Sequence, residues 1–315
     1  MAHNSTESRS SAEESVFDFA TAGEANIKQL RSKLYNRGVE ERWIIPSEEI
    51  EFSDNFMSKG SFGSLQKLKW RELDCLARSY PGQEFSSLKG MSNEISILSS
   101  LRHPNVVLFL GACLEESNTI LIMEFYSLGN LNDFVKTRKK KFKPKQIRQG
   151  IKDVALAVNF LHKSNVIHRS LNPTCILVDK SGKLVIGNFG SSRFTDDKTV
   201  FADEFHHKVT CEAYPYQCPE FLAGKEYNQT CDVYSLAMIS YFIATMVEPF
   251  ADTDANDVKE VVLSGVRPPL DKVKDKHIKA VFADCWTDDL SKRLLANEIV
   301  KRMEAHPNYG GCKVQ

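Results

Sequence analysis

The stretch His168-Arg169-Ser170-Leu171-Asn172-Pro173-Thr174-Cys175-Ile176-Leu177 is the most informative in the chain. Its side chains alternate between polar groups and apolar anchors, and the polar ones are chemically weak. A serine hydroxyl such as Ser170 cannot accept a proton at neutral pH without a base of its own. Cys175 offers a soft thiol, poorly matched to a hard cation. The nearest carboxylate, Asp179, belongs to a turn signal, Asp179-Lys180-Ser181-Gly182. A little further on, Asn188-Phe189-Gly190 offers an amide, which has the shape of a carboxylate without its charge.

Outward from this stretch, the organisation changes along the chain. Residues 1 to about 23 are rich in Ser, Glu, Thr and Ala and read as a disordered tail. Ile27, Leu30, Leu34 and Tyr35 fall at helical spacing, so Ala25 to Asn36 is expected to form a short amphipathic helix. From Trp43 to about Met123, short apolar runs alternate with turns. One helical stretch interrupts them, Ser86 to Leu101, with Met91, Ile95 and Leu98 on one face. From Gly129 onward the pattern is mostly helical. Strands first and helices later predict an α+β fold, a small sheet lobe followed by a larger helical lobe.

Bulk properties exclude several classes. The 315 residues are 42% hydrophobic and 26% charged, enough for one large domain or two packed lobes. The net charge is zero, so there is no global attraction to nucleic acid or membrane. No apolar run reaches the roughly 18 residues of a membrane span; the longest, Val233 to Val247, is interrupted by polar residues and reads as a buried helix. Eight cysteines without C-x-x-C spacing, and a polar start from Met1 to Ser15, predict reduced thiols and a cytoplasmic protein.

The opening stretch resembles the protein kinase catalytic loop H-R-D-L-K-P-x-N-I-L. Further matches run in order from about Ile44 to His306. Trp43-Ile44-Ile45-Pro46, Leu101-Arg102-His103-Pro104-Asn105-Val106-Val107 and Gly111-Ala112-Cys113 resemble the tyrosine-kinase-like group, which includes Raf-like and mixed-lineage kinases. Met123-Glu124-Phe125-Tyr126 resembles gatekeeper and hinge, Gly129-Asn130-Leu131 the helix start after it, and Cys218-Pro219-Glu220 the A-P-E motif. Asp232-Val233-Tyr234-Ser235 and Cys285-Trp286 with Arg293 resemble later motifs. The resemblance implies a kinase-like domain over 43–306, with lobes of about 43–126 and 127–306. A tail with a short helix precedes it (1–42), and a tail follows (307–315).

The same resemblance implies a role for each position. Ser170 stands at the base position, Asn172 at the lysine of the loop, and Cys175 and Asn188 at the metal-ligand positions. Ser58-Lys59-Gly60-Ser61-Phe62-Gly63-Ser64-Leu65 resembles the glycine loop with its first glycine lost. A nucleotide would meet Gly60, Gly63, Leu65, Leu76, Met123, Glu124 and Tyr126. The strand lysine is absent in either of two registers: Arg78 replaces it, with Leu76 against the adenine position, or Ser79 does, with Ala77 there. Arg78 could pair with Glu94, the helix glutamate; Lys67 and Lys69 read as solvated. Leu98, Phe109, His168 and Phe189 match the regulatory column, Asp232 its anchor, and Glu220 with Arg293 a buried ion pair.

Lysine, base and both metal ligands are all changed, so the resemblance implies a pseudokinase: a scaffold or allosteric partner of an active kinase or signalling complex. The alternatives are a residual or atypical Ser/Thr kinase and a nucleotide-binding switch without turnover. ATP is expected to bind weakly if at all, magnesium is not expected, and no nucleic acid partner is expected. Two features point to a membrane. Lys136 to Arg148 holds eight basic residues and no acid, and is read as an inter-helix loop. Cys312-Lys313-Val314-Gln315 has the spacing of a farnesylated C-a-a-X box at Cys312. Ser191, Ser192, Thr195, Thr199 and Thr210 are phosphosite candidates in the activation-like segment. His206, His207 and Cys211 are read as plain loop residues rather than metal ligands.

Overall fold

Short apolar runs separated by tight turns fold into a five-stranded antiparallel sheet ordered β1-β2-β3-β5-β4. The strands are β1 (Ile50–Gly60), β2 (Gly63–Trp70), β3 (Leu73–Ser79), β4 (Phe109–Leu114) and β5 (Thr119–Glu124). The computed structural model describes residues 25–60, 63–80, 85–115, 119–195 and 209–305, with backbone only at 54–60 and 85–86. Contacts divide the chain into two units, Met1–Ser99 with Leu108–Phe125, and Ser100–Val107 with Tyr126–Gln315. The α+β architecture is the one expected. Among the described residues, no helix is long and apolar enough to cross a membrane.

In the first unit, turn chemistry sets the register. Arg71 and Glu72 both take left-handed backbone angles (φ 48° and 64°) between the paired Trp70 and Leu73, the two-residue hairpin geometry that matches strand twist. Alternation then splits β3. Cys75 and Ala77 join Ile45, Leu68, Cys113, Ile120 and Ile122 in one apolar cluster, so Leu76 and Arg78 occupy the opposite face. Helix α2 (Phe85–Ser100) buries Leu88, Met91, Ile95 and Leu98 at helical spacing.

The amphipathic helix near the start, α1, runs over residues 25–40, one turn past the expected Asn36. Leu34 and Gly38 are buried, whereas Tyr35 lies on the exposed face, 47% accessible. Arg37 ties α1 to α2: its Nη1 donates to Ser96 Oγ (2.7 Å) and its Nη2 to Ser99 Oγ (2.9 Å). Its Nε bonds Glu41 (2.7 Å), which also accepts from the Trp43 indole (2.8 Å).

In the second unit, α3 (Pro144–Lys163) is the central support. It starts with proline at its first turn, and the Lys143 N–H donates to Gln146 Oε1 (2.9 Å). A stripe of Ile151, Val154, Ala155, Val158 and Leu161 is buried. Helix α5 (Thr230–Thr245) is buried nearly all round, as its apolar sequence requires. The short strands β6 (Val166–Ile167), β7 (Ile176–Val178), β8 (Leu184–Ile186) and β9 (Arg193–Phe194) form two small ribbons, β6-β9 and β7-β8. Helices α4 (Pro219–Leu222), α6 (Val258–Leu263), α7 (Lys276–Cys285) and α8 (Ala296–Glu304) complete this unit.

The basic segment differs from expectation. Lys136 lies in a π-type turn (Asp133–Thr137), and Lys145 and Arg148 lie in α3, so only residues 138–143 form a loop. Phe142 is buried and stacks on Phe134 of that turn.

Candidate functional site

In the first unit, strand alternation places Arg78 of β3, and Tyr80 just past its end, on one side, both reaching Glu94 of α2. Arg78 Nη1 reaches both Glu94 oxygens at 3.2 Å, and the carboxylate is fully buried. The Tyr80 hydroxyl donates to the same carboxylate. Burial, and then the Glu94 charge, push the Tyr80 phenol well above its ordinary range, so it remains a donor. Of the two registers open from sequence, the one with Arg78 opposite Glu94 is observed. Leu76 therefore lies on the Arg78 face, beside Met123 across the β3–β5 ladder. Lys67 is bonded to Asp74 (2.7 Å) and sits over the Phe125 ring; Lys69 is paired loosely with Glu72 (3.8 Å).

Gly60 and Gly63 pair across the β1–β2 hairpin. Gly63 has φ 113°, and a Cβ there would stand 2.0 Å from the Ser79 carbonyl oxygen. Close passage of two strands thus requires this glycine whether or not a phosphate approaches. Leu65 is half-buried and paired with Arg78. Glu124 is exposed, and Tyr126, the first residue of the second unit's long segment, accepts the Gly129 N–H (3.0 Å). Leu98 and Phe109 are both buried in the first unit.

In the second unit, one carboxylate organises the loop. Asp232 accepts the backbone N–H of His168 (2.8 Å) and of Arg169 (2.9 Å), and the His162 ring (3.0 Å). Burial raises its pKa, but His162 and the His168 N–H outweigh that and hold it below the ordinary carboxylate value. The His168 ring bonds the Gly187 carbonyl (3.0 Å) and meets Phe189 edge-on at 5.1 Å. Arg169, at φ 68°, is wholly buried, with its side chain donating to the Ser191 carbonyl (2.7 Å) and the Tyr227 hydroxyl (3.0 Å).

The β7–β8 hairpin brings together Cys175 and Asn188, which the resemblance places at metal-ligand positions. Cys175 directly precedes β7, Asn188 lies two residues past the end of β8, and the Gly187 N–H donates to the Cys175 carbonyl (2.8 Å). Asn188 takes the left-handed conformation (φ 65°), which its short amide tolerates, and its Nδ2 donates to Cys175 Sγ (3.4 Å). Cys175 Sγ in turn donates to the Ser170 carbonyl (3.1 Å), as does Asn172 Nδ2 (3.1 Å). Asn172 Oδ1 accepts the Thr174 N–H (2.9 Å), capping the next turn. The donor set is one thiol, one amide and one hydroxyl residue. Magnesium takes hard, charged oxygens in octahedral array, so these side chains do not fit it. Phosphoryl transfer in active kinases relies on that ion and on a carboxylate base, at whose position the resemblance places Ser170.

The Glu220–Arg293 pair is present: Nη1 to Oε1 at 2.5 Å and Nη2 to Oε2 at 3.2 Å. Arg293 also donates to the carbonyls of Thr230 (3.2 Å) and Thr287 (3.0 Å). Cys218 and Cys231 lie beside Glu220. Burial pushes both thiols up, and the Arg293 charge already satisfies Glu220, so this cluster is core rather than a cation site.

Three phosphosite candidates are corrected by burial. Ser191, Ser192 and Thr195 are at most 9% exposed, and Thr195 donates its backbone N–H to Asn165 (2.8 Å), so none presents its hydroxyl. Thr210 is exposed and Cys211 half-buried; Thr199, His206, His207 and Cys312 lie outside the described residues. Tyr80, His162 and the burial of Arg169 were missed in the sequence. Tyr80 had a signal, since it follows Arg78 by the strand period of two; His162 had none, being 70 residues from Asp232.

A two-lobed α+β chain with this loop, ion pair and Asp232 anchor is a protein kinase domain. Residues 52–303 match the family model described as protein tyrosine and serine/threonine kinase, and the chain belongs to that family. Serine/threonine-protein kinase VIK of Arabidopsis thaliana is 32% identical over 275 residues, covering 83% of this chain and 61% of that protein. Serine/threonine-protein kinase 12 of the same plant is 30% identical over 295 residues (89% and 61%). A putative serine/threonine-protein kinase/receptor R818 of Acanthamoeba polyphaga mimivirus is 29% identical over 289 residues, 90% of this chain but 17% of that protein. The chain thus spans less than two thirds of these relatives.

Proposed function

We propose that this kinase domain is a pseudokinase of the tyrosine-kinase-like group. It acts by binding, as a scaffold or allosteric partner of an active kinase or signalling complex. The observation that carries this reading is the Asn188–Cys175 contact. The two side chains that would hold metal instead hydrogen-bond each other as a neutral amide–thiol pair, with Ser170 at the base position. The architectural parts are kept in working order: Glu94 is held, Asp232 fixes the loop, and Glu220 pairs with Arg293. Helix α2 and the outer surfaces of the helical unit are the contact faces this reading assigns to partners.

A second reading, a residual Ser/Thr kinase, draws support from the Arg78–Glu94 pair, which keeps a cation on the helix glutamate. Guanidinium is bulkier than ammonium, and Leu76 shares its strand face, so nucleotide would bind weakly. The deciding experiment has two parts. The first is thermal-shift titration of the purified chain with ATP, alone and with Mg²⁺ or Mn²⁺; the second is phosphate transfer to itself and to a general protein substrate. The pseudokinase reading expects no metal-dependent shift and no transfer. Metal-dependent transfer lost in Arg78→Ala would overturn it in favour of the second reading. A shift without transfer would make the chain a nucleotide-binding switch.

A further inference from the structure

We propose that the basic segment around residues 138–145 is a docking surface for anionic phospholipid headgroups. The chain as a whole is balanced, with 41 basic and 41 acidic residues, so a local excess of charge is not inherited from composition. Its members divide sharply by pairing. Lys136 is bonded to Glu248 (2.5 Å) and Arg148 faces Asp275 (3.8 Å). Arg138 donates to the Ser127 carbonyl (3.0 Å). Lys139, Lys140, Lys141, Lys143 and Lys145 are all exposed, and no carboxylate among the described residues pairs with them. The nearest acid in sequence, Asp133, is occupied by Asn130 (2.8 Å).

The segment is held rather than loose. Phe142 is buried and stacks on Phe134, ring centroids 5.0 Å apart. The backbone N–H groups of Arg138 and Lys140 are bonded to Asp133 (2.9 Å) and Phe134 (3.1 Å). Pinning the loop by its one aromatic leaves five ammonium groups pointing out over a short span. Such a cluster has the size of those that recognise anionic lipid.

The residue types favour a lipid surface over other anions. Lysine is a strongly hydrated point charge suited to diffuse attraction, whereas paired recognition of carboxylate or phosphate in a folded partner favours the arginine fork. Nucleic acid binding without sequence preference uses exposed aromatic platforms, and the one aromatic ring of this segment, Phe142, is buried against Phe134.

The test is flotation of the 315-residue chain with phosphatidylcholine vesicles, with and without about a quarter phosphatidylserine. Binding is expected only to the anionic vesicles, weakening steeply with salt. A Lys139→Gln/Lys140→Gln/Lys141→Gln variant should bind about a hundredfold more weakly. A control triple, Lys225→Gln/Lys274→Gln/Lys301→Gln, removes equal charge from other exposed sites and should bind as the parent. Melting temperatures of all three proteins should agree, because every altered lysine is solvent-exposed. Absence of binding to anionic vesicles overturns the proposal, as does an equal loss in the control triple. Direct binding of inorganic phosphate or of an acidic peptide, with no vesicle binding, would overturn it and reassign the patch to a soluble anion or to a protein. The outcome is independent of phosphotransfer, so it stands or falls apart from the pseudokinase reading.

Discussion

Replacing Arg293 by methionine should be among the most damaging single changes in the helical unit. The side chain is completely buried and holds a Glu220 carboxylate that is itself 9% exposed. Methionine keeps much of the volume but removes the charge. Three acceptors then lose donors: the carboxylate and the carbonyls of Thr230 and Thr287. Breaking a buried ion pair from one side costs about 3–5 kcal/mol, because the remaining charge is stranded. The two carbonyls add roughly 1 kcal/mol each where water does not replace the donor. At about 2–4 °C per kcal/mol for a unit of this size, the transition should fall by roughly 10 °C or more. Denaturation of the parent, Arg293→Met, Glu220→Gln and the double variant measures the coupling directly. The double variant should recover a large part of the loss, because no charge is left unpaired. A loss below about 1 kcal/mol in Arg293→Met, or a double variant equal to the sum of the singles, would refute the argument.

Other outcomes follow from the same geometry. Restoring hard ligands with Ser170→Asp/Cys175→Asn/Asn188→Asp should create a magnesium-dependent shift with ATP, up to about 2.7 kcal/mol at a hundredfold excess over Kd; a variant that still ignores the ion would show that other features bar nucleotide. Arg78→Ala leaves Glu94 buried with Tyr80 alone and should cost about 3 kcal/mol, whereas Arg78→Lys should cost less; equal losses in urea denaturation would argue against a charge effect. Asp232 has a depressed folded pKa, so the unfolded chain binds its proton first as pH falls. Its contribution is complete above the unfolded value of about 4 and is lost as pH drops through the folded pKa. Asp232→Asn should therefore be destabilised at neutral pH, and the gap to the parent should narrow below about pH 4; a pH-independent gap would contradict this. Arg37→Ala should release α1 from α2, and amide exchange in α2 should quicken by about fivefold, the factor for roughly 1 kcal/mol; unchanged protection would show that α1 does not hold that helix.

The α+β order, sheet first and helices later, was legible in the sequence because it is written in local patterns, and the kinase resemblance rested on motifs in the right order. Apolar runs broken by turns before Met123 and helical stripes after Gly129 each report burial on one face of one element, and that is a short-range property. The chemistry of Ser170, Cys175 and Asn188 was equally legible, since a side chain's charge and hardness travel with its identity. Pairings between distant residues were not. Sequence left Arg78 and Ser79 as rivals, because a one-residue slip in a strand exchanges its faces; the β2–β3 register and the position of Glu94 chose Arg78. Only the folded chain placed Tyr80 on the same carboxylate, joined Arg37 to Ser96 and Ser99, and gave Gly63 a steric reason in the Ser79 carbonyl. Burial likewise withdrew Ser191, Ser192 and Thr195 from modification, although their sequence context resembled an exposed loop. Composition and periodicity thus fixed which elements form and what chemistry their residues can offer. Which of those residues meet, and which are hidden, depended on contacts across tens of residues that no local pattern encodes.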